Sequence, residues 1–249
     1  MKGERTSFRV ALISDHASPL ATLGGVDAGG QNVYVAQLAK RLAATGVQVD
    51  VFTRRTCTSQ KEIVPWEGVR VVHVLAGPPC HVPKEQLLPY MAAFTNWLEA
   101  FAAREGSYDL FHANFFLSGL AAADLKARTS TPFVVTFHAL GKVRRLHQGA
   151  ADAFPNERFG IEARLVREAD ALIAECPQDV DDLTNLYGAD ASRVHLIPCG
   201  FDPAEFEPLD KEEARFMLEL PSLPPDAPLL LQLGRMVPRK GVETVVRAL

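Results

Sequence analysis

The sequence predicts an α/β fold built on a doubly wound parallel sheet, and three observations carry that prediction. A strand-length apolar run, Phe8-Arg9-Val10-Ala11-Leu12-Ile13-Ser14, feeds the glycine-rich stretch Gly24-Gly25-Val26-Asp27-Ala28-Gly29-Gly30, which opens onto helical periodicity. Short β-branched runs then alternate with helical segments long enough for right-handed crossovers between parallel strands. Finally, polar residues with chemical potential fall just after the strands, on the edge where such sheets bind ligands.

The elements follow in order. Val35, Leu38, Ala39 and Leu42 keep i, i+3, i+4, i+7 spacing after Gly29, and Gly46 closes that first helix. Val47 to Phe52 and Val69 to Leu75 read as strands, with Gly77-Pro78-Pro79 ending the latter. A helix over Lys84 to Arg104 precedes the strand Asp109 to Ala113, which delivers His112 and Asn114 to its carboxyl end. After a helix over Leu117 to Arg128 comes the strand Phe133 to Phe137, with Pro132 at its start and His138 at its end. Helix Glu157 to Ala169, strand Ala171 to Ala174, helix Pro177 to Tyr187 and strand Val194 to Pro198 complete the alternation. From Gly200 prolines interrupt everything except a short helix near Lys211 to Leu220. The chain therefore divides into a Rossmann-like domain over 1–205, a linker over 206–227 and the beginning of a second α/β domain over 228–249, where the strand Leu229 to Leu233 precedes Gly234-Arg235 and Lys240-Gly241.

Composition excludes several function classes. The 249 residues carry a net charge of −4 with Lys and Arg scattered, so no basic stripe marks a nucleic-acid binder. Cys57, Cys80, Cys176 and Cys199 form no Cys-x-x-Cys pair and have no metal-ligand spacing, which fits a reduced, cytoplasmic setting. The N-terminal residues lead into a strand rather than a signal-peptide core, and no stretch approaches the roughly 18 apolar residues of a membrane span.

The glycine loop lacks Gly-x-Gly-x-x-Gly, and no acidic residue ends the second strand, which disfavours a nicotinamide dehydrogenase. It also lacks the Gly-Lys-Ser/Thr of a P-loop. A glycine junction at a helix N-terminus suits a phosphate or sugar, although a plain connecting turn has the same spacing. Asp179-Val180-Asp181 spells a metal-binding Asp-x-Asp, but it falls in the first turn of a helix after Pro177, where the macrodipole favours acidic residues. Glu157 and Glu162 share one helix with no opposed carboxylate, unlike a glycosidase pair.

Five motifs in order resemble glycosyltransferase family four: Gly29-Gly30-Gln31-Asn32-Val33-Tyr34-Val35, His138, Ile161-Glu162 to Ala169-Asp170, Pro198-Cys199-Gly200-Phe201-Asp202, and Gly234-Arg235 to Lys240-Gly241. The first of them looks most like the branch holding sucrose-phosphate synthase, sucrose synthase and the glycosyltransferase of mycothiol synthesis. The likeness covers nearly the whole chain. It implies the GT-B fold, two Rossmann-like domains with the acceptor bound mainly by the first and the nucleotide-sugar donor mainly by the second. It also implies retaining transfer of a hexose, first of all from UDP-glucose, to an acceptor hydroxyl by same-face attack.

The resemblance assigns roles to single residues. Arg235 and Lys240 match the pair on the leaving diphosphate, a role that needs no metal and no further cofactor. Gly29, Gly30 and Gln31 match the loop near donor phosphate and acceptor. His138 matches a histidine that contacts the transferred sugar, whereas His112 reads as structural. Lys84, Asn114 and Arg158 match the acceptor side, with Lys84 and Arg158 at positions that bind an acceptor phosphate in relatives. Phe115 and Ala139 depart from the tyrosine and threonine of one such relative, and Arg144 and Arg145 lie nearby on a helix surface. The acidic donor motif, two glutamates eight positions apart, would lie beyond Leu249. The chain ends in the helical pattern Val245-Val246-Arg247-Ala248-Leu249 without a stop signal and reads as part of a longer one. The alternative is a sugar- or phosphosugar-binding module, or an inactive fragment lacking the donor half. Small molecules are the expected partners, and the oligomeric state is open.

Overall fold

The computed structural model describes residues 7–22, 29–219, 224, 227–234, 236 and 240–249. Two compact units divide the chain, Met1–Cys199 and Gly200–Leu249.

In the first unit the strands are β1 (Arg9–Ile13), β2 (Gln48–Arg54), β3 (Ile63–Trp66), β4 (Val69–Val74), β5 (Leu110–Asn114), β6 (Phe133–Thr136), β7 (Ala171–Ala174) and β8 (Val194–Leu196). They form one sheet in the order β3-β4-β2-β1-β5-β6-β7-β8, parallel throughout except for β3 against β4. The helices are α1 (Gly30–Ala44), α2 (Met91–Glu105), α3 (Phe116–Thr129), α4 (Gly141–Gln148), α5 (Glu157–Glu168) and α6 (Pro177–Tyr187).

Both faces of the sheet are covered, which is why its central strands read as continuous apolar runs. Val10 and Leu12 point to one side, where they pack with Val35 and Ala39 of α1 and with Val49, Val51, Val69 and Val71. Ala11 and Ile13 point to the other, joining Phe52, Val72 and Val74 under Phe94, Leu98 and Phe101 of α2 and Leu117 and Ala121 of α3. Each of the large side chains in that layer contributes about 1.5–3 kcal/mol by leaving water.

Because β1 sits between β2 and β5, the strand order reverses there, and parallel pairing aligns the carboxyl ends. Ile13 lies opposite Phe52 and Ala113, Asn114 opposite Thr136, and Thr136 opposite Ile173. The residues that follow these strands therefore gather along one edge, beside the switch point.

Several expected elements differ. The edge strand β3 carries Pro65, which a central strand would not tolerate, and it joins β4 through Glu67 and Gly68, both at positive φ (49° and 80°) as a tight hairpin turn demands. The helix expected from Lys84 begins only at Met91. Pro89 cannot donate to a helical ladder, and 84–90 is broken into two short turns, Lys84–Gln86 and Leu88–Tyr90. Helix α4 carries Arg144 and Arg145, which the sequence places on a helix surface.

The second unit contains α7 (Lys211–Met217), capped by the Asp210 carboxylate on the Glu212 and Glu213 amides, and α8 (Val242–Ala248). Leu229–Leu233 is not a strand: an isolated extended run has no ladder partner, and the described residues of this unit contain no strand to pair with it. Among the described residues, no helix is long and apolar enough to cross a membrane.

Candidate active site

The strand-end edge of the first unit holds a connected polar cluster centred on His138. This residue leaves β6 at φ +56°, a left-handed conformation, and the Ala139 amide donates back to Phe137 O at 2.6 Å. Non-glycine residues held so cost about 1–3 kcal/mol and persist where their surroundings enforce them. Phe115, after the adjacent strand β5, has φ +82° and donates its amide to Thr136 O at 2.8 Å.

The His138 ring is held on three sides. Its Nδ1 lies 3.1 Å from both carboxylate oxygens of Glu175, which follows β7 as His138 follows β6. Its Nε2 faces Asn114 Oδ1 at 3.0 Å. The Asn114 amide is oriented by Nδ2 contacts to Ile13 O and His112 O, both 3.4 Å, so an oxygen meets the imidazole. Tyr34 of α1 packs edge-on against the ring, centroids 4.8 Å apart. Burial pushes the Glu175 carboxyl up, but the hydrogen bond and charge of His138 outweigh it, and the net shift is downward. Burial also raises the Tyr34 hydroxyl, partly offset by its hydrogen bond to Thr136.

Cys199 donates to Glu175 Oε1 at 3.2 Å, and its thiol is pushed up to about 11, by burial first and then by that carboxylate. Gln31 Nε2 reaches Ser14 Oγ and Asn114 O, both at 3.3 Å, linking the start of α1 to the same cluster. Buried Asn32 fixes that helix start by accepting from the Gly29 amide (2.9 Å) and donating to Ser18 O (2.9 Å). Among the described residues a Cβ on Gly29 or Gly30 would meet nothing within 4 Å, and the intrahelical bonds begin only with the Asn32 amide on Gly29 O (3.0 Å), after the amides of Gly30 and Gln31. Gly24 to Ala28 lie outside the described residues.

The other expected site residues are placed differently from one another. Asn114 is fully buried and bonded to His138, as above. Arg158, on α5, is enclosed at 1% exposure, pairing with Glu162 (2.7 Å) and donating to Ala139 O (2.5 Å). Lys84 follows a loop anchored by Arg54, whose guanidinium donates to Pro78 O and Cys80 O, and it lies 3.8 Å from Glu85. Lys240 belongs to the second unit, where Gln232 donates to its carbonyl at 3.0 Å. Arg235 lies outside the described residues. His112 is buried on β5 against Thr136 Oγ1 (2.9 Å), and burial, then the charge of His138, lowers it to about 4. Asp179, in the first turn of α6, accepts from the Glu175 amide at 3.0 Å. Among the described residues no group of three His, Cys, Asp or Glu side chains is arranged to hold a metal.

No sequence motif gives a site role to Glu175 or Thr136, and Tyr34 and Cys199 stand out only as members of motifs. Glu175 carries the same signal that singled out His138, a polar residue immediately after a strand.

A doubly wound sheet whose polar side chains converge beside its switch point is the architecture of a Rossmann-like ligand-binding domain, the kind from which GT-B glycosyltransferases are built. The chain belongs to the glycosyl transferase 4-like domain family, which it matches over residues 29–200. It is 42% identical over 247 residues to the D-inositol 3-phosphate glycosyltransferase of Actinosynnema mirum, covering 96% of this chain and 58% of that protein. The enzyme of the same name from Acidothermus cellulolyticus is 41% identical over 249 residues, covering 98% and 54%. The sucrose-phosphate synthase structure from Thermosynechococcus elongatus superposes with a TM-score of 0.86 at 34% identity, over 97% of this chain and 59% of that one. Anabaena HepE, solved with UDP and glucose, shares the fold at a TM-score of 0.52 and 18% identity, over 85% of this chain and 50% of that one. The chain spans somewhat over half the length of the curated relatives it matches.

Proposed function

We propose that this chain is the acceptor-side part of a nucleotide-sugar-dependent retaining glycosyltransferase that moves a hexose from a nucleoside diphosphate to an acceptor hydroxyl. The observation that carries the reading is the His138 imidazole, held by Glu175 and Asn114 at the strand ends of a glycosyl transferase 4-like domain. An imidazole fixed in this way orients the transferred sugar and holds one face of it for same-side attack.

The open backbone at Gly29 and Gly30, with Gln31 beside it, receives phosphate and acceptor at the N-terminus of α1. Arg235 and Lys240 supply fixed positive charge to the leaving diphosphate, so charge stabilisation rather than a metal drives bond cleavage. Residues 228–249 then begin the donor domain. Asn114 works through His138, and Lys84 is the proposed contact for an acceptor phosphate, in keeping with relatives named for inositol 3-phosphate. UDP-glucose is the proposed donor, supported by the fold shared with a protein solved with UDP and glucose. Four free, exposed cysteines fit a reducing, cytoplasmic setting.

The test is nucleoside diphosphate release by the full-length protein, with UDP-glucose and a panel of acceptors including inositol phosphates and hexose phosphates, in buffer containing EDTA. Acceptor-dependent release with retained anomeric configuration supports the reading. Sugar binding without release under all conditions would replace it with a binding module.

A further inference from the structure

We propose that the buried Arg158–Glu162 pair is a positioning device that holds the His138 turn. The proposal rests on His138 being the sugar-facing residue.

The two side chains stand one turn apart on α5 and are 1% and 0% exposed. Together they tie down the backbone that follows His138. Arg158 Nη2 donates to Ala139 O, and both Glu162 oxygens accept from the Gly141 amide at 3.0 and 2.9 Å. The Tyr187 hydroxyl donates to Glu162 and accepts from the Lys142 amide at 2.9 Å. The segment 139–142 is thus gripped at a carbonyl and two amides by one buried assembly, directly after the residue whose φ of +56° needs enforcing.

Burying a charged pair is expensive, and apolar residues of similar volume would pack there at no loss of stability. What such residues could not do is set hydrogen-bonding backbone groups on either side of residue 140. The guanidinium is enclosed by aromatic rings, its carbon 4.5, 4.7 and 4.9 Å from the ring centres of Phe154, Phe116 and Phe115; Nε and Nη2 are committed to Glu162 and Ala139 O, and Nη1 is buried without a hydrogen-bond partner. Glycine at 141 follows from the same assembly: a Cβ would stand 2.8 Å from Glu162 Oε2 and 2.9 Å from Arg158 Nε.

The experiment compares Arg158→Lys, Glu162→Gln and Gly141→Ala by two readouts. In the isotope-labelled 249-residue chain, the ring resonances of His138 are expected to move and its cross-peak to the Tyr34 ring to weaken in all three variants, with the other six histidines unchanged. In the full-length protein, kcat is expected to fall about 10- to 100-fold, as for a displaced catalytic group, with acceptor KM changing less than about threefold for phosphorylated and unphosphorylated acceptors alike. Unchanged His138 signals in folded variants would overturn the proposal. So would an Arg158→Lys protein that keeps kcat but loses binding of inorganic phosphate. If Arg158→Lys does not fold, Glu162→Gln and Gly141→Ala decide, since each disturbs the grip while leaving Arg158 in place. The resonance readout stands whether or not a transfer activity is found, so failure of the functional reading is separable from failure of this one.

Discussion

The imidazole Nδ1 of His138 stands 3.1 Å from each carboxylate oxygen of Glu175, although 37 residues separate them. The pair exists because β6 and β7 are sheet neighbours in parallel register, and His138 and Glu175 lie just beyond their carboxyl ends. Removing the negative charge with Glu175→Gln costs one charge-assisted hydrogen bond, about 1.5–3 kcal/mol. In full-length protein kcat is expected to fall roughly 10- to 100-fold, with a larger loss for His138→Ala. Because Glu175 sits below its ordinary value, the contact persists above that range and is lost as pH falls through it. The acid limb of the wild-type pH profile should therefore be absent in Glu175→Gln, and an identical limb in both would show that Glu175 does not govern His138.

Thiol chemistry checks the same neighbourhood without any substrate. Cys57 and Cys199 are both exposed, yet hydrogen bonds with Ser59 pull the Cys57 thiol down whereas burial and the Glu175 carboxylate push Cys199 up to about 11. Since the thiolate is the reactive form, iodoacetamide at pH 8 should label Cys57 more than about tenfold faster, read by peptide mass. Glu175→Gln should speed the labelling of Cys199 and leave Cys57 unchanged. Equal rates in the native protein would mean that the Cys199–Glu175 contact does not form.

Much of this fold is legible because a sheet covered on both faces announces itself. Val10 to Ile13 and Val49 to Phe52 are apolar at every position bar Asp50, and each follows or precedes a helix of clear periodicity. The edge is less legible: Ile63–Trp66 contains an exposed proline among half-buried residues, and it becomes a strand through pairing with β4. His138 is legible from its place after a strand. Glu175 has the same place but pairs with it through sheet order, which local spacing does not encode. Arg158 reads in sequence as an available cation, and only packing against Phe115, Phe116 and Phe154 encloses it.

The second unit makes a distinct kinetic prediction. The Lys240 stem runs alongside Gly234, where a Cβ would come within 3.6–3.9 Å of it, and Gln232 tethers its backbone. If its ammonium meets the leaving diphosphate, it acts on charge that grows during bond cleavage rather than on the acceptor. Lys240→Ala in the full-length protein is then expected to lower kcat by roughly 100-fold or more while acceptor KM stays nearly constant. A variant that raises acceptor KM and keeps kcat would assign Lys240 to the acceptor instead.

His112 carries a pH signature in stability. Buried on β5 against Thr136, it titrates near 4 in the folded chain, against an ordinary value of 6.5 in the unfolded one. Between those values the unfolded chain binds more protons, so stability is complete above about pH 6.5, falls as pH drops through that window, and loses nothing more from this group below about pH 4. The shift corresponds to about 3 kcal/mol at most. Urea midpoints measured at pH 7, 5.5 and 4 should decline accordingly, and the decline should shrink in His112→Asn, which cannot take up a proton. A variant that is less stable at pH 7 but declines just as steeply would place the acid sensitivity in other groups, with the carboxylates of Asp152 and Asp170 next in line because both lie below their ordinary values when folded.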